Sequence, residues 1–285
     1  MQMSRTLIAG CGFVGMQLGI DLAADGHEVW GLRREPGGLP AAIRPLCADL
    51  TKPATLQDLP ADLDLVFFTA APDHHDDAGY RSVYVEGLRH LLQTLVAHGQ
   101  RPRRLLFTSS TAVYSQSNGD WVDEDSPTEP RGFAGHRLLE AEHLVLTSPF
   151  PSIVVRLAGI YGPGRGRMVD SVRNGTATCP DGTPVYTNRI HRDDCAGVLR
   201  HLATIADPLP LYLAADHEPA DTGTVLHWLA DQLHAPPPAI RPASELQSWE
   251  RGSSKRCRND RLVGSGYRFR FRTFRDGYGA ILKDL

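Results

Sequence analysis

Short apolar runs alternate along this chain with longer segments whose apolar side chains recur every three or four positions. The runs at 6–9, 28–32, 46–48, 65–69, 104–109 and 152–157 have the length and near-continuous hydrophobicity of strands buried on both faces, and 211–214 adds a late one. Between them, 16–25, 82–98 and 133–146 carry the helical spacing. Strand and helix in alternation predict an α/β fold, a doubly wound parallel sheet with helices on both faces. Proline and glycine gather after Gly162, and Ala235-Pro236-Pro237-Pro238 marks a stiff loop after a predicted helix at 224–234. The pattern divides the chain into a sheet domain, 1–158 and 190–214, and a small C-terminal lobe, 159–189 and 215–285. The lobe is expected over the carboxyl ends of the strands, where such sheets bind ligands.

A chain of 285 residues with 41% hydrophobic and 22% charged content can bury a full core. Its formal net charge of -3 gives no reason to expect nucleic acid or an anionic membrane as partner, which leaves a small molecule. The longest apolar runs, 63–71 and 153–160, are too short to span a bilayer, and residues 1–5 do not open like a signal peptide, so a cytoplasmic location is expected. Cys11, Cys47, Cys179, Cys195 and Cys257 are widely spaced and contain no CxxC pair, so they read as reduced and structural.

The first apolar run leads straight into Gly10-Cys11-Gly12-Phe13-Val14-Gly15 and then into a helical pattern. In that position Gly10 permits a tight turn, Gly12 lets backbone approach a pyrophosphate, and Gly15 lets the helix pack closely with its N-terminus toward the phosphates. The loop therefore predicts a dinucleotide cradle. The second strand ends at Arg33-Arg34 with no acidic residue to accept a ribose 2′-hydroxyl, and either arginine could pair with a 2′-phosphate. NADP is expected over NAD, although a merely solvated arginine pair would read the same way. Asp49, followed by Leu50, is placed to reach the adenine, and Thr69-Ala70-Ala71 presents small side chains beside the dinucleotide.

Taken in order, Gly12-Phe13-Val14-Gly15, Thr69–Pro72, Ser109-Ser110-Thr111-Ala112-Val113-Tyr114, Tyr161-Gly162-Pro163 and Ile190-His191-Arg192-Asp193-Asp194 resemble the extended short-chain dehydrogenase/reductases, particularly their atypical NAD(P)-dependent epimerase/dehydratase-like members. The resemblance runs nearly end to end and implies a Rossmann sheet with a substrate lobe. It also implies a serine, a tyrosine and a lysine as the working group, with tyrosine passing the proton. Ser110 falls at the serine position. The YxxxK position, however, reads Phe133-Ala134-Gly135-His136-Arg137, so the usual tyrosine is phenylalanine and the lysine is Arg137. Arg137 can still hold ribose hydroxyls but cannot shuttle protons near neutral pH. On the preceding helix a tyrosine, Tyr84, replaces the family's asparagine, and it is the first candidate for the missing proton donor, ahead of Tyr114 and His136. A core or rim tyrosine is the plainer reading of Tyr84.

Other features change this picture less. His74-His75-Asp76-Asp77 resembles a metal cluster, yet adjacent loop residues rarely converge on one ion, so no metal is expected. His191 could contact a ligand or stand at a helix entry capped by Asp193 or Asp194. Tyr267-Arg268-Phe269-Arg270-Phe271-Arg272 alternates apolar with cationic and predicts a strand with one buried face. Arg165, Arg167 and Arg256 could hold an anionic substrate such as a nucleotide sugar. The expectation is an NAD(P)-dependent oxidoreductase or epimerase/dehydratase-like enzyme working on a hydroxyl or carbonyl, or else a silent NADP(H)-binding sensor or scaffold. The resemblance also implies a homodimer.

Overall fold

The computed structural model describes residues 3–182, 184–242, 245 and 254–283. The chain falls into two compact units. The first comprises Met1–Val113, Pro130–Leu157 and Cys195–Tyr212, and the second Tyr114–Glu129, Ala158–Asp194 and Leu213–Leu285.

Strands β1 (Arg5–Ala9), β2 (Glu28–Arg33), β3 (Arg44–Cys47), β4 (Leu65–Phe68) and β5 (Arg104–Ser110) join Ser152–Leu157 and Leu211–Ala214 in one seven-stranded sheet. Its order is Leu211–Ala214, Ser152–Leu157, β5, β4, β1, β2, β3. Pairing is parallel from β3 through β2, β1, β4 and β5 to Ser152–Leu157. Leu7, Ile8, Val66, Phe67, Phe68, Leu105, Leu106 and Phe107 are buried on both faces, which explains why these strands read as continuous apolar runs rather than alternating ones. Strand order reverses between β1 and β4. At such a switch point the carboxyl ends open a crevice for a ligand.

Four helices matter to that end of the sheet: α1 (Phe13–Ala24), α2 (Asp77–Tyr80), α3 (Leu88–Ala97) and α4 (Phe133–Leu146). Helix α1 turns Val14, Leu18 and Leu22 to the core at the expected spacing, and α3 does the same with Leu88, Leu91, Leu92 and Leu95. The single helix expected over 82–98 is not one helix type. Arg81–Gly87 is π-helical and passes directly into α3. Its seven residues cover fewer than two turns of either helix type, too few for apolar periodicity to separate them. Among the described residues no helix is long and apolar enough to cross a membrane.

The second unit is held by two-stranded ladders and its own core. Lys255–Cys257 runs parallel to Asp120–Val122, and Arg189–His191 parallel to Gly159–Tyr161. Tyr161, Val169, Val225, Leu229, Phe274, Tyr278 and Ile281 form the centre of the core. The strand expected at 267–272 is absent, yet its alternation of burial is present: Tyr267, Phe269 and Phe271 are buried while Arg268, Arg270 and Arg272 are exposed. A side chain replaces the ladder partner. The carboxylate of fully buried Asp194 accepts the Arg270 and Phe271 N–H groups at 2.8 and 2.9 Å and the Tyr267 hydroxyl at 2.8 Å.

Candidate functional site

The glycine loop assigns each glycine a different job. Gly10 has φ +88, and a Cβ there would stand 2.3 Å from the Ala70 Cα, so only glycine fits where β1 and the segment after β4 nearly touch. A Cβ on Gly15 would meet Thr69 Oγ1 at 2.8 Å and Ile8 Cγ2 at 2.9 Å, which fixes α1 close to the sheet. At Gly12 the nearest neighbour would be 3.9 Å away. The loop is tied down by Gly10 and Cys11 N–H groups donating to the Leu32 carbonyl at 3.0 Å and by the Thr69 hydroxyl donating to the Gly10 carbonyl at 2.9 Å. Gly12 at the N-cap position offers no side chain to cap α1, and the first turn, with Phe13 and Val14, contains no acidic residue. The helix thus starts at the glycine turn with its positive dipole end, which favours an anion.

Around this turn, Cys11 is buried and its thiol is pushed up to about 11 by that burial, with Arg33 acting against the rise. It is a neutral packing residue rather than a reactive thiolate. Of the two arginines ending β2, Arg34 is engaged: both its terminal nitrogens donate to Asp73, at 2.7 and 2.9 Å. Arg33 is half-buried and, among the described residues, forms no ion pair. Asp49 closes a local turn, accepting the Thr51 N–H at 3.0 Å and hydroxyl at 2.7 Å. Burial works to raise its carboxyl, but these bonds and Lys52 hold it below the ordinary range. Leu50 is buried and its carbonyl lies 2.9 Å from His90 Nδ1. Ala70 is packed under the glycine turn, whereas Ala71 is exposed.

At the end of β5 two adjacent serines divide structure from availability. Ser109 is buried and donates to Glu142 Oε1 at 2.6 Å, while Arg156 donates to both oxygens of the same carboxylate, at 3.0 and 2.7 Å. Ser110 is half-buried, and its hydroxyl accepts only the Ala112 N–H at 3.2 Å among the bonds described. The head of α4 sits against this turn, since a Cβ on Gly135 would stand 2.6 Å from the Ala112 carbonyl oxygen. Sequence reasoning picked Ser110 and missed the buried Ser109–Glu142–Arg156 network. Apolar periodicity gives no signal for such a triad.

Phe133 opens α4 inside a cluster of rings. It stands edge-on to Tyr80 at 5.3 Å between centroids and to His75 at 5.5 Å; Tyr80 in turn meets Tyr84 at 5.3 Å, and Tyr84 abuts Phe107 of β5 at 6.3 Å. Burial, and then the neighbouring Tyr80, push the Tyr84 hydroxyl well above the ordinary phenol range. Tyr84 thus holds its proton tightly. Arg137 donates to Asp77 at 2.8 and 3.0 Å and to Glu140 at 3.0 Å, and these two carboxylates hold its guanidinium firmly charged. Asp76 caps α2 by accepting the Gly79 N–H at 2.7 Å. His75, Asp76 and Asp77 therefore serve three separate ends, and no group of three metal-binding side chains occurs among the described residues.

Within the second unit, His191 is buried between Phe271 and Tyr161, and burial pushes it down to about 4, so it is neutral. Its Nδ1 accepts the Asp193 N–H at 3.2 Å. The histidine caps the helix rather than being capped by it. Arg256 donates to the Gly119 carbonyl and lies over the rings of Trp121 at 4.6 Å and Tyr186 at 5.0 Å.

Comparison with known proteins agrees with this construction. Residues 6–179 match the model of the NAD dependent epimerase/dehydratase family. A 3-diazoavenalumate denitrifying reductase from Streptomyces sp is 30% identical over 96% of this chain and 99% of its own. A candidate NAD-dependent epimerase/dehydratase structure from Methylobacillus flagellatus is 36% identical with a TM-score of 0.82, covering 99% of both chains. Human epimerase family protein SDR39U1, solved with NADPH, shares the fold at a TM-score of 0.83 and 21% identity, over 99% of this chain and 100% of its own. With its glycine cradle, reversed strand order and end-to-end match to these proteins, the chain belongs to the NAD-dependent epimerase/dehydratase family.

Proposed function

We propose that this protein is a nicotinamide-dependent oxidoreductase that prefers NADP(H). The observation that carries the preference is the contrast at the end of β2, where Asp73 pairs with Arg34 while Arg33 forms no ion pair among the described residues. The glycine cradle fits a dinucleotide: Gly12 leaves room for backbone to meet a pyrophosphate, and as the N-cap of α1 it brings no side chain to that helix start. A bound nicotinamide would supply or accept hydride. Ser110, with its hydroxyl engaged only locally, would border the substrate's reacting group, and Asp49 and Leu50 would border the adenine. A charge-assisted pair between Arg33 and a 2′-phosphate is worth about 1.5–3 kcal/mol. Calorimetric titration should therefore show NADPH binding more tightly than NADH, and Arg33→Ala should weaken NADPH by about 10- to 100-fold with little effect on NADH. Equal loss for both nucleotides would refute the assignment.

A silent NADP(H) sensor or scaffold is the second reading, and Phe133 favours it. The position that normally passes the proton holds a side chain with none to give, and Arg137 beside it is tied to Asp77 and Glu140. Absorbance of NADPH-loaded protein, followed against a panel of aldehydes, ketones and nucleotide sugars, separates the two. Oxidation of NADPH by any of them supports the enzyme; inertness across the panel and toward an N-methyl dihydroisoquinolinium ion supports the sensor.

A further inference from the structure

We propose that the His75–Tyr80–Tyr84–Phe133 cluster binds an organic cation, and that the substrate class of this site is an iminium-type ion rather than a neutral carbonyl. The inference rests on the nicotinamide-dependent reading above. Its first ground is chemical. Reduction of a carbonyl creates an alkoxide and requires a proton donor, whereas a cationic carbon–nitrogen double bond needs none. Hydride from a reduced nicotinamide forms the new C–H bond at the iminium carbon, the π pair retreats to nitrogen as a neutral amine, and the positive charge departs with the oxidised nicotinamide. No proton moves. Phe133 offers none, and burial beside Tyr80 makes the Tyr84 hydroxyl a weaker acid than an ordinary phenol.

The second ground is the surface that replaces the missing acid. Tyr80, Tyr84 and Phe133 are half-buried rings with centroids 5.3 Å apart in successive pairs, Tyr80 edge to face with Phe133 and tilted at 57° to Tyr84, with exposed His75 at 5.2 and 5.5 Å from Tyr80 and Phe133. Aromatic faces attract a desolvated cation through the ring quadrupole. The third ground is local charge. Two carboxylates, Asp77 and Glu140, offset Arg137 on the first turns of α4, and Arg81, next to Tyr80, pairs with Glu86 at 3.6 Å. A positively charged ligand therefore meets rings and carboxylates instead of a bare guanidinium. The cluster touches Phe107 of β5, so it lies at the strand that ends in Ser110.

The test is a titration of nucleotide-free, full-length protein with the N,N-dimethyl tetrahydroisoquinolinium ion and with its neutral isostere bearing a quaternary carbon in place of nitrogen. The cation should bind about 10-fold more tightly. Tyr80→Leu and Phe133→Leu should abolish that preference without changing affinity for the isostere, and Tyr80→Phe, which keeps the ring, should retain it. Equal binding of ion and isostere by the unaltered protein would overturn the inference without recourse to any variant, as would a preference that survives both leucine substitutions. NADPH is titrated separately: NADPH binding without cation preference removes this inference alone, and cation preference without NADPH binding removes the nucleotide reading. With NADPH bound, an N-methyl dihydroisoquinolinium ion should be reduced while the matching ketone is not; the reverse order contradicts the assignment.

Discussion

Single residues in this protein carry consequences that their sequence neighbourhood does not advertise. Asp216 is 2% exposed, and its Oδ2, like the hydroxyl of Tyr161, is buried without a hydrogen-bond partner among the described residues. Burial pushes its carboxyl up to about 7, against the Glu218 N–H and Arg189, which favour the ionised form. Folding thus takes up a proton at this site. Its help to stability is complete below the ordinary carboxylate range near ~4 and is lost as pH rises through about 7. Asp216→Asn should melt higher than the parent at about pH 8 by more than roughly 1 kcal/mol and show little difference at about pH 4. Identical pH dependence of the two melting curves would contradict this. The roles of Gly10, Gly12 and Gly15 were legible because each follows from its place between a strand and a helix. The tie between Arg34 and Asp73, residues 39 apart in sequence, was not, because local pattern contains no information about which carboxylate a surface arginine will meet.

Elements were legible where burial on both faces left a continuous apolar run, as in β1, β4 and β5. They were less so where a polar side chain took over a backbone's work. The 267–272 segment shows the difference: alternation gave the right buried set, but pairing is a long-range property, and Asp194 supplied the acceptors that a neighbouring strand would have offered. The Ser109–Glu142–Arg156 network also joins elements, linking β5, α4 and Ser152–Leu157 through one buried carboxylate. Removing one partner of such a pair leaves a buried charge without compensation, which costs about 3–5 kcal/mol. Glu142→Ala should lower the denaturant midpoint by that order and loosen the α4 head beside Ser110. Replacing Glu142 and Arg156 together by apolar residues of similar volume should recover most of the loss. A single substitution costing less than about 1 kcal/mol would show that the network does not hold these elements together.

At the scale of the molecule, the chain enters and leaves its two units repeatedly, so neither unit is a continuous stretch of sequence. The distances along the chain are long. Asp194 is the last residue of one such passage, and its hydrogen-bond donors lie 73, 76 and 77 residues further on. A chain ended at Gly266 lacks those donors as well as Phe274, Tyr278 and Ile281 of the second unit's core. It should lose the cooperative transition reported by Trp228, which packs edge-on against Phe274 at 5.6 Å; an unchanged tryptophan signal and midpoint would contradict this. Synthesis imposes the same wait on every copy of the intact protein. At about 5–20 residues per second, the donors for Asp194 are added roughly 4–15 s after Asp194 itself. Throughout that interval the nascent chain carries a carboxylate whose burial has no donors ready, so the second unit can close only after Phe271 has been added.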